Sequence, residues 1–279
     1  MIHTGQKNTL TALRYTSVGM YLGDDEGNDV LLPNKYVPDD LKEEDSIEVF
    51  VYRDSEDRII ATNLEPYIYL NEFAYLKVNS VGAMGAFMDM GLEKDLLVPF
   101  REQTNPLDVD KWATVCLLRD PQTDRLVGSC HVNRYLEFEE IELTAGEQVQ
   151  ILVYEHSDLG YNVIINNKYR GLIYANEVFQ EIRIGKKLMA YIKNVRDDNN
   201  IDVSLQPVGQ DHETLVGSAT EKIIQLLQKN NGFSSLTDAS EPALIYARLE
   251  MSKKNFKKAI GALYRERKIR IETNGIYLV

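Results

Sequence analysis

The chain states one pattern twice at a fixed offset of 66 residues. Gly19 and Tyr21 return as Gly85 and Phe87, Leu31-Leu32-Pro33 returns as Leu97-Val98-Pro99, and Arg53-Asp54 returns as Arg119-Asp120. A looser third copy carries Gly160, the run Gly171-Leu172-Ile173-Tyr174, and Arg196-Asp197. Self-similarity at this period means several small units, each burying its own modest core, in place of one large core.

Each copy reads as five short strands. In the first they are Thr9 to Tyr15, Met20 to Leu22, Val30 to Leu32, Ile47 to Tyr52 and Arg58 to Ala61. Period-two patterning with Gly, Asp and Asn turns at this spacing predicts a small barrel or sandwich. The last hairpin is the sharpest repeated element, and its turns are filled by Asp and Asn, whose short side chains cap local backbone groups.

The final 60 or so residues change period. Ala219 to Lys229 places Ile223, Leu226 and Leu227 on one helical face and stops at Asn230-Asn231-Gly232. Glu241-Pro242 opens a second helix, with Ser240 as its expected cap, and Ser252 caps a third, in which Phe256, Ile260 and Leu263 form a buried stripe. Lys268 to Glu272 and Ile276 to Val279 pair across Thr273-Asn274-Gly275. The Asn-Gly pair is a strong hairpin signal. Three helices and a terminal hairpin make a winged helix. Barrels are thus expected at 1–66, 67–140 and 141–210, a linker at Gly209 to Gly217, and a winged-helix domain at 218–279.

Charge is divided along the chain. The formal net charge is −12, an acidic balance that disfavours a phosphate partner. Residues 1–217 hold 20 Lys+Arg against 37 Asp+Glu, whereas residues 218–279 hold 11 against 6. A basic module therefore follows an acidic body. No run approaches 18 apolar residues, and the first residues lack the pattern of a signal peptide, so a soluble, cytoplasmic protein with no membrane partner is expected. Cys116 and Cys130, in or beside strands, fit a reducing compartment.

Met84-Gly85-Ala86-Phe87-Met88 resembles the Phe-Gly-Ala-Phe-Val signature of S1-type RNA-binding OB domains, and Gly171-Leu172-Ile173-Tyr174-Ala175-Asn176-Glu177-Val178 resembles their Gly-Leu-Val-His-Ile-Ser-Glu-Leu segment. Three such domains followed by the stretch from Met251 to Tyr264 resemble the bacterial conserved virulence factor B family. The resemblance implies a multidomain chain of three all-β OB barrels and an α+β winged helix, acting on gene expression after transcription through RNA, without catalysis. It also places Tyr21 and Phe87 at the exposed ring position of the second strand and Tyr174 at the histidine position of the third. The first copy departs from the S1 pattern at Val18-Gly19-Met20-Tyr21 and Pro33, and the third, Leu159-Gly160-Tyr161-Asn162, lacks the second ring.

OB barrels bind single strands by stacking bases on rings while cations track the backbone. The rings also suit a barrel core or an interface between barrels. The cations are densest in and after the third helix: Lys253, Lys254, Lys257, Lys258, Arg265, Arg267, Lys268 and Arg270. Spacings of four put Lys253 with Lys257, and Lys254 with Lys258, on shared faces. Such a patch suits phosphate, a solvated helix face, or docking on the chain's own acidic barrels.

Cys130-His131 lacks the companions of a zinc site, the acidic clusters fall in turns, and no phosphate loop or nucleophile motif occurs, so neither enzyme activity nor a cofactor is expected. Single-stranded RNA is the expected partner. Two readings compete with it: a transcription regulator whose third helix enters duplex DNA, and an acidic scaffold for basic proteins such as ribosomal proteins.

Overall fold

Alternating burial generates the first strand, β1 (Lys7–Thr16), where Asn8, Leu10 and Ala12 face inward and Lys7, Thr9 and Thr11 outward. With β2 (Gly19–Gly23), β3 (Asp29–Pro33), β4 (Ser46–Arg53) and β5 (Ile59–Thr62) it closes a barrel in the order β1-β2-β3-β5-β4. The second copy repeats the cycle with β6 (Phe73–Gly82), β7 (Gly85–Met88), β8 (Leu96–Pro99), β9 (Trp112–Arg119) and β10 (Leu126–Ser129). The third uses β11 (Gln148–Ser157), β12 (Gly160–Ile165), β13 (Tyr169–Tyr174), β14 (Lys187–Val195) and β15 (Ile201–Ser204). In every copy the third and fifth strands pair in parallel. These are OB-type barrels of the S1 kind. The computed structural model describes residues 1–178, 181–207 and 212–279, with side chains in the last stretch from residue 219 onward.

The repeated glycine has a steric cause. Gly19, Gly85 and Gly160 hold φ of 151°, 154° and 146°, and each second strand crosses tightly over the third. A Cβ there would stand 2.1 Å from the Leu32 carbonyl oxygen, 2.1 Å from that of Val98 and 2.0 Å from that of Ile173. Only glycine fits.

The repeated aspartate closes the last hairpin. Asp54 Oδ1 accepts from the backbone N–H of Glu56 (2.9 Å) and Arg58 (3.0 Å), and Asp120 Oδ1 from those of Gln122 (2.8 Å) and Thr123 (3.1 Å). In the third copy the role moves one residue along, to Asp198, which accepts from Asn200 N–H at 3.1 Å.

The chain forms two compact bodies: Met1–Phe138 with Ile164–Arg170, and Glu139–Val163 with Gly171–Val279. In the first body, barrels 1 and 2 share a core. Phe50, Tyr52 and Ile60 pack in one cluster with Leu76, Val78, Met88 and Leu117, and the connecting Ile68 is fully buried among them. The repeated hairpins interlock above it. Arg53 Nη2 meets Asp124 Oδ2 at 3.0 Å, Arg125 Nε meets Asp57 Oδ1 at 2.9 Å, and Lys94 Nζ donates to the carbonyls of Arg53 (2.9 Å) and Asp54 (2.7 Å).

The Arg125 guanidinium holds the Asp57 carboxyl below its ordinary value. A carboxyl lowered on folding contributes stability above its unfolded pKa, and that contribution is lost as pH falls through the lowered value. On acidification from about pH 6 to about pH 3, thermal unfolding of the wild type is expected to shift down by more than that of Asp57→Asn. Equal shifts would mean that this pair contributes nothing.

The second body includes the winged helix: α1 (His212–Lys229), β16 (Phe233–Ser234), α2 (Pro242–Leu249), α3 (Lys253–Arg265), β17 (Ile269–Glu272) and β18 (Gly275–Leu278), with sheet order β16-β18-β17. Ile223 and Leu227 of α1, Ile245 of α2, and Phe256, Ile260 and Leu263 of α3 meet in one buried cluster with Ile276 of the wing. Two local expectations are corrected. Residues 212–217 belong to α1 instead of a linker, because helix extension from packed turns costs little even across Gly217; Gly209 to Asp211 lie outside the described residues. The cap of α2 is Glu241, held extended by the following Pro242, whereas the Ser240 hydroxyl accepts from Thr237 N–H at 2.8 Å.

Candidate nucleic-acid interface

Tyr21 lies half-buried on β2, where an exposed ring was expected. Its cross-strand partner is Arg14, whose guanidinium carbon sits 4.2 Å from the ring centroid while Nη2 pairs with Asp29 Oδ2 at 2.8 Å. A register shift between Ala12 and Arg14 brings the arginine onto the ring. Such a contact contributes on the order of 0.5–1 kcal/mol when exposed.

Phe87 is the equivalent residue on β7, also half-buried. Ser80 stands in Arg14's place, so among the described residues no cation covers the ring, and Gly82 leaves the space beside it: a Cβ there would be 3.2 Å from Cε2 of Phe87. Exposed apolar neighbours in sequence, Val81 and Met84 on and after β6 and Phe100 after β8, were not singled out by sequence reasoning. Met84 has counterparts in Val18 and Leu159, each exposed in the turn before the repeated glycine. That shared position was the available signal.

In the third barrel Asn162 replaces the ring, is buried, and donates to Glu155 Oε2 at 2.7 Å. The aromatic group instead stands at the end of β13. Tyr174 is half-buried, and its hydroxyl accepts from Arg196, whose guanidinium also grips Asp202 through Nη2–Oδ1 (2.8 Å) and Nε–Oδ2 (3.1 Å). The arginine of the repeated hairpin therefore orients the tyrosine.

On the winged helix, Ser252 Oγ accepts from Asn255 N–H at 3.2 Å and starts α3, which turns Phe256, Ala259, Ile260 and Leu263 inward. Lys254, Lys257, Lys258 and Arg265 are exposed and Lys253 half-buried; Arg267, Lys268 and Arg270 continue the exposed cations into the wing. Lys257 approaches Asp238 at 3.6 Å and Lys268 pairs with Glu266 at 2.8 Å. Among the described residues no ion pair forms at Lys253, Lys254, Arg265 or Arg267. Tyr264, 57 % exposed, stands among them and escaped sequence reasoning.

Among the described residues no group of three or more His, Cys, Asp or Glu side chains could hold a metal, and no helix is long and apolar enough to cross a membrane. Burial pushes the Cys116 thiol up to about 12 and the Cys130 thiol up to about 11. A thiol is reactive as its thiolate. Both are expected to resist a thiol-modifying reagent at neutral pH until the protein unfolds, as a colorimetric thiol titration would show; rapid labelling of the native chain would refute this.

Three closed barrels followed by a winged helix define a modular protein of S1-type OB domains. Residues 4–64 match the S1 domain family, residues 139–207 the second domain of virulence regulatory factor CvfB, and residues 221–278 the CvfB-like winged helix domain. The chain belongs to the conserved virulence factor B family. It is 30% identical to the "Uncharacterized protein YitL" of Bacillus subtilis, over 98% of this chain and 93% of that protein. It is 26% identical to conserved virulence factor B of Staphylococcus aureus USA300, over 86% of this chain and 83% of that protein. A crystallised multidomain protein with nucleic acid binding domains from Streptococcus pneumoniae is 23% identical, covering 99% of this chain and 98% of its own, with a TM-score of 0.44.

Proposed function

We propose that this chain is a cytoplasmic, non-catalytic RNA-binding protein that acts on gene expression after transcription. The observation that carries the reading is the cation field of α3 and the wing, free of ion pairs among the described residues at Lys253, Lys254, Arg265 and Arg267, on a chain whose first 217 residues are strongly acidic. Phosphate binds there by releasing counterions. The acidic barrels contribute little to that term and act through rings: Phe87, Tyr21 once Arg14 swings aside, and Tyr174 held by Arg196. Each stacked base contributes about 1–3 kcal/mol. The domain content, S1 barrels with a winged helix, is typical of proteins that bind nucleic acid without transforming it.

Equilibrium competition decides between nucleic acids. A single-stranded RNA is expected to displace a labelled RNA of the same sequence at far lower concentration than duplex DNA of equal length, at one salt concentration. Preference for the duplex would instead make α3 a major-groove reader. Failure of any RNA to bind at low salt, with a basic protein co-purifying, would favour the acidic scaffold.

A further inference from the structure

We infer that barrel 2 carries a second base-stacking platform, on the face formed by β6 and β9, built from Tyr75 and the chain's single tryptophan, Trp112. The inference rests on the RNA-binding reading above and names a further site for the same class of ligand.

The two rings are diagonal neighbours across the strand pair: Tyr75 registers with Thr114 and Lys77 with Trp112. Their centroids lie 5.5 Å apart with planes inclined by only 24°, a stacked arrangement. Trp112 is stacked on the tyrosine and remains 52% exposed. Pre-stacking matters because a ring fixed by its neighbour has little rotamer freedom left to lose when a base arrives.

This face is distinct from the one that carries Phe87. Phe87 lies on β7, between β6 and β8, whereas Trp112 lies on β9 on the other flank of β6. Nor does the platform belong to the repeat: the first copy has Thr9 and Ser46 at the corresponding places.

Two lysines stand beside the ring pair as partners for a phosphate. Lys77 is the direct cross-strand neighbour of Trp112, its ammonium 2.6 Å from Asp110, and exposed Lys111 precedes the tryptophan. Apolar exposure nearby in sequence is limited to Val109, flanked by Asp108 and Asp110. A stable protein interface needs a large, contiguous surface of roughly 800 Å² per partner, which an isolated ring pair with a charged rim does not offer. One base against an indole, with its phosphate near Lys111 or Lys77, needs only what is there.

The lone tryptophan makes the test direct. The full chain is titrated with an unlabelled 12-nucleotide single-stranded RNA while Trp112 emission is recorded, and total binding is followed separately by the anisotropy of a fluorescein-labelled version. Emission is expected to be quenched in parallel with the anisotropy rise. Trp112→Ala is expected to weaken binding about tenfold, Trp112→Phe much less, with unchanged thermal unfolding of both variants as the control for folding. Anisotropy that rises while emission stays constant, and affinity indifferent to Trp112→Ala, would overturn the platform and leave the RNA-binding reading standing. No anisotropy change at low salt would overturn both. Quenching by an arginine-rich peptide but not by RNA would also overturn it, in favour of a protein ligand.

Discussion

Replacing Lys253, Lys254, Lys257 and Lys258 together by Glu is expected to weaken single-stranded RNA binding by about 100-fold or more at low salt. The four lysines lie on one helix above a fully buried Phe256, and none contributes to the hydrophobic cluster. Each phosphate contact to a single strand contributes about −0.7 to the slope of log affinity against log salt, so loss of four contacts flattens it by about 3. Reversing the charge adds repulsion. The variant should still fold: two of the substitutions fall in the first turn of α3, where negative residues suit the helix dipole, and the Lys257–Asp238 contact at 3.6 Å is exposed and worth little. Unchanged affinity in a folded variant would remove the winged helix from the RNA site.

Gly85→Ala is the substitution expected to damage the fold most. The new Cβ would stand 2.1 Å from the Val98 carbonyl oxygen and 2.8 Å from Pro99 Cα, both backbone atoms of the neighbouring strand, at a φ of 154°. No side-chain rotation relieves such a clash, so β7 must lift off β8. A loss of about 3–5 kcal/mol follows, at the upper end of single substitutions. For a body of this size that lowers the unfolding midpoint by roughly 10 °C. Because barrels 1 and 2 share one core, the loss should appear in hydrogen exchange of β4 and β5 as well as of barrel 2. Contrast Gly261, inside α3, where a Cβ would meet nothing within 4 Å; Gly261→Ala should be stabilising, by about 0.5–1 kcal/mol.

Local rules made much of the architecture legible. The repeated glycine, the Asp-capped hairpins, the Ser252 cap and the Thr273-Asn274-Gly275 turn each report chemistry within a few residues, and the structure places them as expected except in the third hairpin, where Asp198 caps in place of Asp197. What escaped depended on distance. Nothing in the periodicity of 1–138 shows that Phe50 and Leu117 share a core, or that Arg125 of one hairpin meets Asp57 of another. The candidate site followed the same division. Tyr21, Phe87 and Tyr174 could be placed on their strands from the repeat and the family resemblance, but the arginines that cover or orient two of them come from β1 and from the hairpin that follows β14. Trp112 stayed hidden for the opposite reason: it has no counterpart in the first copy, and its stacking partner lies on another strand.

The most direct measurement of the central claim is the affinity of the full chain for a fluorescein-labelled single-stranded RNA, by anisotropy, across salt concentrations from about 50 to about 300 mM. The account predicts binding at low salt that falls linearly in log–log form with a slope of about −3 or steeper, with a residual, salt-insensitive part from stacking. No binding at the lowest salt, or an affinity independent of salt, would contradict it.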